Sequence, residues 1–77
     1  MDKLWISLDS RQKLERFVAV CSMLDMEIEA ASGEHSANAK SILGLMTLPL
    51  SRPLELRFQA EGKQRSALIK VMEPFLV

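Results

Sequence analysis

The chain contains one cysteine, Cys21, and one histidine, His35, among its 77 residues. A single thiol cannot form an internal disulfide, and one thiol with one imidazole gives too few ligands for a soft-metal site, although a carboxylate site is not excluded. A chain of this length forms one compact domain and leaves no room for a large active-site cleft. We therefore expect no metal, no cofactor and no self-sufficient enzyme, and we interpret His35 as a surface residue in a turn.

Charged residues restrict the class of partner. Ten Lys and Arg residues balance ten Asp and Glu residues, and this zero net charge argues against a sequence-independent nucleic-acid binder. Arg11, Lys13 and Arg16 fall on the expected exposed face of the first helix, near its start, where they oppose the helix dipole. They form either a solvated face or a binding surface for an anion or an acidic partner.

The first two elements follow from the spacing of apolar residues. Leu4, Ile6 and Leu8 alternate with more polar neighbours, which predicts a strand with one buried face. Asp9 is the predicted N-cap of the next helix, with Gln12 as its capping-box partner. That helix carries an apolar stripe about four turns long, formed by Leu14, Phe17, Val18, Cys21 and Leu24.

The middle of the chain predicts two strands and a short helix. Residues 26–30 alternate like a strand, residues 32–34 form a turn signal, and a short return strand is expected around Ala37. Ser41 is the predicted cap of a very apolar helix that extends to Leu48. Gly44 inside that helix costs about 1 kcal/mol relative to Ala, so tertiary packing must stabilise the segment.

The last third of the chain predicts the clearest strand and a final helix. Residues 54–60 alternate strictly, and Glu61-Gly62 turns the chain. Leu68, Val71, Met72 and Phe75 then form a helical stripe, which Pro74 kinks or ends early.

These elements give the order β-α-β-β-α-β-α in an α+β fold, with helices on one face of an antiparallel sheet, and we expect a single domain over residues 1–77. The most apolar stretch, residues 42–50, is about half the length of a membrane-spanning helix. The N-terminus does not have the pattern of a secretory leader. We expect a cytoplasmic protein with a free Cys21 thiol and no membrane or nucleic-acid partner.

One segment resembles a known family. Residues 40–48 read KSILGLMTL, which resembles the second-helix motif K-S-I-x-G-x-M-x-L of HPr, the histidine-containing phosphocarrier protein of the bacterial sugar phosphotransferase system. All six specified positions match, and the length and element order fit over nearly the whole chain. The resemblance implies the HPr-like open-faced β-sandwich, with a four-stranded antiparallel sheet in the order 1-4-2-3 and three helices on one face.

The chain departs from that family at the carrier residue. HPr carries its phosphate on a histidine at the entrance of the first helix, in an H-A-R-P motif, where this chain has Ser10-Arg11-Gln12-Lys13. Phosphohistidine is a labile phosphoramidate that passes its phosphoryl group onward, whereas a serine phosphate is a stable ester. We therefore interpret Ser10 as an N-terminal helix residue and expect no ordinary phosphocarrier activity.

Ser41 is the second position to which the resemblance gives a role. In many HPr proteins the matching serine is phosphorylated by an ATP-dependent HPr kinase, and a related regulatory protein, Crh, lacks the histidine but keeps the serine. A phosphate at a helix N-terminus meets free backbone N–H groups and the positive end of the dipole, and Lys40 adds a compensating charge. The alternative interpretation is that Ser41 only caps the helix.

A docking surface is the third expectation. We expect Ile42 and Leu45 to face inward and Leu43 and Met46 to be partly exposed, because so short and apolar a helix cannot bury every side chain. In the family, the positions that match Leu43 and Met46 lie in the patch that docks partner proteins. Core packing is an equally good explanation of these two residues. Trp5 should lie on the uncovered face of the sheet.

Three hypotheses follow. The leading one is a regulatory, protein-binding module that docks phosphotransferase-system or regulatory proteins through its first and second helices. The candidate partner-binding residues are Arg11, Lys13, Arg16, Lys40, Leu43 and Met46. The second is a phosphoryl-transfer component of the phosphotransferase system that uses another residue, and the third is a small structural domain with only a fold likeness. The oligomeric state is not predicted.

Overall fold

The computed structural model describes residues 3–77. Four strands and three helices follow one another along this part of the chain. They are β1 (Leu4–Ile6), α1 (Arg11–Ser22), β2 (Ile28–Ser32), β3 (His35–Asn38), α2 (Ile42–Leu45), β4 (Leu54–Phe58) and α3 (Gly62–Met72), with a final 3-10 turn over Glu73–Phe75. The predicted order of elements is therefore confirmed.

The four strands form one antiparallel sheet in the order β1-β4-β2-β3. Leu56 lies opposite Leu4 on one side and opposite Ala30 on the other, so the apolar positions of three strands share one face. The helices cover this face, and the core combines both layers. This is the α+β, HPr-like sheet order that the resemblance implied.

The core is formed by the apolar stripes of the helices and the inner face of the sheet. Phe17 in α1 is fully buried and meets Phe75 edge-to-face, with ring centroids 5.5 Å apart. The other largest buried side chains are Ile6, Leu8, Leu45, Leu54, Leu68, Met72 and Cys21. Of the predicted final stripe, Leu68, Met72 and Phe75 are buried as expected, whereas Val71 lies at its margin with 36% of its side chain exposed.

Several predicted boundaries shift. The second helix ends at Leu45 rather than Leu48, because the chain tightens into a turn in which the Leu48 amide donates to the Leu45 carbonyl at 3.0 Å. Leu48 nevertheless reaches the core. The second strand begins at Ile28 and extends to Ser32. His35, expected in the turn, is the exposed first residue of β3, because the turn needs only Gly33, with φ 63°, and Glu34.

The chain ends against the outer edge of β1. The Ser7 amide donates to the Phe75 carbonyl at 2.8 Å, and the Val77 amide donates to the Trp5 carbonyl at 3.1 Å. Leu76 forms an isolated antiparallel bridge with Ile6 between these two bonds. Pro74 lies in the 3-10 turn that follows α3, so the helix ends early at this proline as predicted, and the chain then continues to the β1 edge.

None of the helices within residues 3–77 is long and apolar enough to cross a membrane.

Candidate functional site: the entrance of α1 and the short helix α2

The entrance of α1 is capped by Ser10. Its backbone is extended, its hydroxyl oxygen accepts a hydrogen bond from the Lys13 amide at 3.1 Å, and its carbonyl accepts from the Leu14 amide at 3.0 Å. The prediction that Asp9 is the N-cap was therefore wrong. Asp9 and Ser10 are both good capping residues. The first i→i−4 hydrogen bond is accepted by the Ser10 carbonyl, so the helix begins one residue later than predicted.

The basic residues at the start of α1 lie at the surface, but two of them are already engaged. Arg11 Nε lies 3.1 Å from Glu15 Oε2, and Lys13 Nζ lies 3.2 Å from Asp9 Oδ1. The first turn of α1 contains no acidic residue, so the positive charges of Arg11 and Lys13 oppose the helix dipole, as expected. Arg16 is also exposed. A partner carboxylate would have to compete with local ion pairs at Arg11 and Lys13.

Lys40 lies at the other end of α1. Its ammonium group donates to the Leu24 carbonyl at 2.8 Å in a partly buried position, just beyond the last residue of the helix. Its backbone amide donates to Asn38 Oδ1 at 2.8 Å. A cation there satisfies a carbonyl near the C-terminal end of α1 and complements the helix dipole. The structure therefore does not bring Lys40 together with Arg11 and Lys13, which lie about 18 Å away along a twelve-residue helix.

Ser41 caps α2, as predicted. Its hydroxyl oxygen accepts a hydrogen bond from the Gly44 amide at 3.1 Å, and its carbonyl accepts from the Leu45 amide at 3.0 Å. The absence of a side chain at Gly44 leaves space for this hydroxyl, since a Cβ there would lie 3.2 Å from Ser41 Oγ. The same short turn is held at its far side by Thr47, whose hydroxyl donates to the Gly44 carbonyl at 2.6 Å.

The four residues of α2 divide between core and solvent as expected. Leu45 is fully buried and Ile42 is partly buried. Leu43 is 77% exposed, and Met46, which follows the last helical residue, is 51% exposed. Residues three apart on a helical turn are neighbours, so these two side chains form one apolar patch. We call Leu43 and Met46 the α2 patch.

The helices α1 and α2 pack against each other, and α2 also packs on β3. Core contacts thus hold the α2 patch and Ser41 on the same layer as the α1 helix. Of the candidate residues, Ser41, Leu43 and Met46 lie together on one turn. Arg11 and Lys13 form a second group at the start of α1, and Lys40 is held apart by its bond to Leu24.

A charge network on the open face of the sheet was missed by the sequence analysis. Lys3 Nζ forms an ion pair with Glu55 Oε2 at 3.5 Å, and Arg57 Nε donates a hydrogen bond to Glu55 Oε1 at 3.1 Å. Partial desolvation would raise the pKa of the Glu55 carboxyl, but the hydrogen bond from Arg57 and the positive charges of Lys3 and Arg57 outweigh it and lower the pKa. Glu55 and Arg57 alternate with the buried positions of β4. This alternation in the sequence could have placed both side chains on the open face.

Trp5 lies on this open face, as expected, and is 47% exposed. Its partner across the strands is Glu55, so the indole borders the charge network.

The single cysteine is buried in the core. Burial raises the pKa of the Cys21 thiol from 9.0 to about 12, a rise that the nearby Lys40 charge only partly opposes. A fully buried neutral thiol is a packing residue rather than a nucleophile. Among residues 3–77, no group of three or more His, Cys, Asp and Glu residues is placed to hold a metal ion.

These features define a small α+β protein with an open antiparallel sheet, a serine-capped first helix and a second serine-capped turn that exposes apolar side chains. The family model described as the PTS HPr component phosphorylation site matches residues 13–77. The chain therefore belongs to the PTS HPr family. The family is that of a phosphocarrier rather than a catalytic enzyme, and it interacts with phosphotransferase-system proteins. The match begins at Lys13, so Ser10 lies outside it. A search of the curated proteins found no match.

Proposed function

We propose that this chain is a regulatory, protein-binding member of the HPr family that docks partner proteins through α1 and α2 and does not carry phosphate between them. The observation that carries this proposal is the exposure of Leu43 and Met46, which follow Ser41, the residue that caps α2. Exposed apolar side chains held on a rigid turn are typical of protein contacts. Methionine also adapts its shape to different partners.

The residue at the carrier position supports the second half of the proposal. Ser10 is the N-cap of α1, and its hydroxyl is bonded to the Lys13 amide. A phosphate ester on this hydroxyl would be too stable to pass onward, unlike the phosphoramidate of a phosphohistidine. His35 is exposed in β3, at the far edge of the sheet from β1, and Cys21 is buried. Neither side chain offers a replacement beside Ser10.

Ser41 is the proposed regulatory position. Its Oγ is partly buried and accepts a hydrogen bond from the Gly44 amide, and a Cβ at position 44 would lie only 3.2 Å from it. A phosphate there would add about −1.5 to −2 charges immediately before the α2 patch. Such a charge beside Leu43 changes the chemistry of the surface that a partner meets, so phosphorylation at Ser41 would select among partners.

Phosphorylation is tested by intact-mass spectrometry after incubation with ATP and an HPr kinase, comparing the wild type with Ser41→Ala. We expect one added phosphate in the wild type and none in the variant. An unmodified wild type, under conditions in which the kinase modifies an authentic HPr, would remove the regulatory role of Ser41. A parallel incubation with phosphoenolpyruvate and the upstream phosphotransferase enzyme tests carrier activity, and an acid-labile, base-stable phosphate would overturn the proposal.

Docking is tested with Leu43→Asp, using kinase phosphorylation at sub-saturating protein concentration as the readout. Because Leu43 is exposed, its replacement should change the free energy of unfolding by no more than about 0.5 kcal/mol. We expect the phosphorylation rate to fall about tenfold, as for the loss of a central interface residue. Val71→Asp is the matched control, since Val71 is an exposed apolar residue on α3. Equal effects of the two substitutions would contradict docking through the α2 patch.

A further inference from the structure

The methionine side chains differ in their exposure to solvent. Four of the five methionines lie within residues 3–77. Met72 is fully buried in the core, and Met26 is partly buried against it. By contrast, Met23 is 85% exposed and Met46 is 51% exposed. Because an oxidant must reach the sulfur atom, Met23 and Met46 are the two candidate sites of oxidation in this part of the chain.

Met23 and Met46 differ in what surrounds them. Each ends a helix, since Met23 is the C-cap of α1 and Met46 is the C-cap of α2. Only Met46 belongs to the α2 patch, where it follows Leu43 by three residues. The Met46 amide donates to the Ile42 carbonyl at 3.1 Å, so the backbone of the turn is held while half of the side chain is exposed. A chemical change at the Met46 sulfur therefore alters one of the two side chains that form this patch.

Hydroperoxides oxidise an accessible thioether in one oxygen-transfer step. The O–O bond of the peroxide breaks, an S–O bond forms, and hydrogen peroxide leaves as water. The sulfur loses two electrons and the peroxide gains them. The flexible apolar side chain becomes a polar sulfoxide, whose oxygen accepts hydrogen bonds. A methionine sulfoxide reductase reverses the step with a dithiol, which becomes a disulfide while the oxygen leaves as water.

We propose that Met46 is a reversible oxidation site for hydroperoxides and that its sulfoxide blocks docking through the α2 patch. The effect on docking rests on the proposed function. A partner that covers the patch would have to remove water from the sulfoxide oxygen, and the Leu43 side chain has no donor to replace that water. Met72 keeps its thioether because it is fully buried. Oxidation therefore acts on the docking surface and leaves the core intact.

Peptide mapping by mass spectrometry tests the site of oxidation. The protein used is Met23→Leu, a volume-conserving change that removes the other exposed methionine of the described chain. We expect hydrogen peroxide to oxidise Met46 at least about tenfold faster than Met72, which serves as the buried internal control. Oxidation of both residues at the same rate would overturn the proposal.

Kinase phosphorylation at sub-saturating protein concentration tests the effect on docking. Peroxide treatment of Met23→Leu should lower the rate of phosphorylation at Ser41 at least about fivefold, and sulfoxide reductases specific for each epimer should restore it. The matched control is the double variant Met23→Leu/Met46→Leu, which differs only at position 46 and should keep its rate. An unchanged rate after oxidation of Met46, or an equal fall in the control, would overturn the proposal.

Retention on a hydrophobic-interaction column provides a test that needs no kinase. Oxidation should shorten the retention of Met23→Leu more than that of the double variant, and an equal change in both would overturn the proposal. If the untreated protein is not phosphorylated, the proposed function fails, while peptide mapping and the column still decide whether Met46 is an oxidation site that changes the surface. Phosphorylation that persists after oxidation of Met46 contradicts the oxidation proposal alone.

Discussion

Replacing Lys40 with methionine tests whether this residue stabilises the fold or contacts a partner. The substitution keeps an unbranched stem of similar length and removes the ammonium group. In the structure, that group donates to the Leu24 carbonyl at 2.8 Å in a partly buried position. The variant leaves this carbonyl without its charged donor, next to the negative end of the α1 dipole.

The expected loss of stability follows from this geometry. A hydrogen bond from a charged donor contributes about 1.5–3 kcal/mol, and the partial desolvation of Lys40 offsets some of it. We therefore expect Lys40→Met to lower the free energy of unfolding by about 1–2 kcal/mol. For a domain of 60–100 residues this corresponds to a decrease in Tm of roughly 4–15 °C.

The assay is denaturant unfolding followed by circular dichroism, with Arg16→Met as the control for removing an exposed positive charge from α1. The control should change stability by less than about 0.5 kcal/mol. Phosphorylation of folded Lys40→Met by HPr kinase should proceed as in the wild type. Unchanged stability together with a loss of phosphorylation would refute the reasoning, because the ammonium group would then serve the partner rather than the Leu24 carbonyl.

Two further predictions concern titrating groups. Because the pKa of Cys21 is raised to about 12 in the folded protein, the unfolded state gains stability as its thiol ionises, so stability should fall as pH rises above 9 by up to about 1.4 kcal/mol per unit. Cys21→Ala should remove this slope in alkaline denaturant titrations, and rapid reaction of the native thiol with a thiol reagent would contradict its burial. Because the folded pKa of Glu55 is lowered from 4.5, its stabilising contribution is present above pH 4.5 and is lost as pH falls through the lowered value. Glu55→Gln should flatten the acid limb of the stability curve. Identical curves for the wild type and Glu55→Gln would exclude the Lys3 and Arg57 network as the cause.

The strands and the apolar faces could be predicted because alternation along a strand directly reports which face is buried. Leu54 and Leu56 are buried, and Glu55 between them lies on the open face. The order of the strands could not be obtained from alternation, because it depends on which edges meet in space. That order came from the likeness of residues 40–48 to the HPr motif, and the structure confirms it.

The capping and exposure of the candidate residues could be predicted where they depend on neighbours along the chain, but not where they depend on distant contacts. Ser41 was predicted as a cap because serine precedes the apolar run, and its hydroxyl accepts the Gly44 amide. Leu43 was predicted to be exposed because so short a helix cannot bury all its side chains. The start of α1 was not predicted, because Asp9 and Ser10 are both good caps and only the structure shows that Ser10 provides the first accepting carbonyl. The contact of Lys40 with Leu24 spans sixteen positions, and no sequence period relates the two residues.

In the proposed docking, the charged residues of α1 and the apolar residues of α2 should contribute differently to binding. Arg11 and Lys13 already have acidic neighbours on or just before α1, so a partner carboxylate exchanges one exposed ion pair for another, with a net gain below about 1 kcal/mol. Charges of this kind affect the rate and orientation of encounter more than affinity. Leu43 has no comparable contact to lose, and burying it against a partner gains the full hydrophobic contribution, about 1.5–3 kcal/mol for a leucine side chain. The binding free energy should therefore come mainly from α2, and a regulatory charge at Ser41 would act where that free energy arises, unlike one at Ser10.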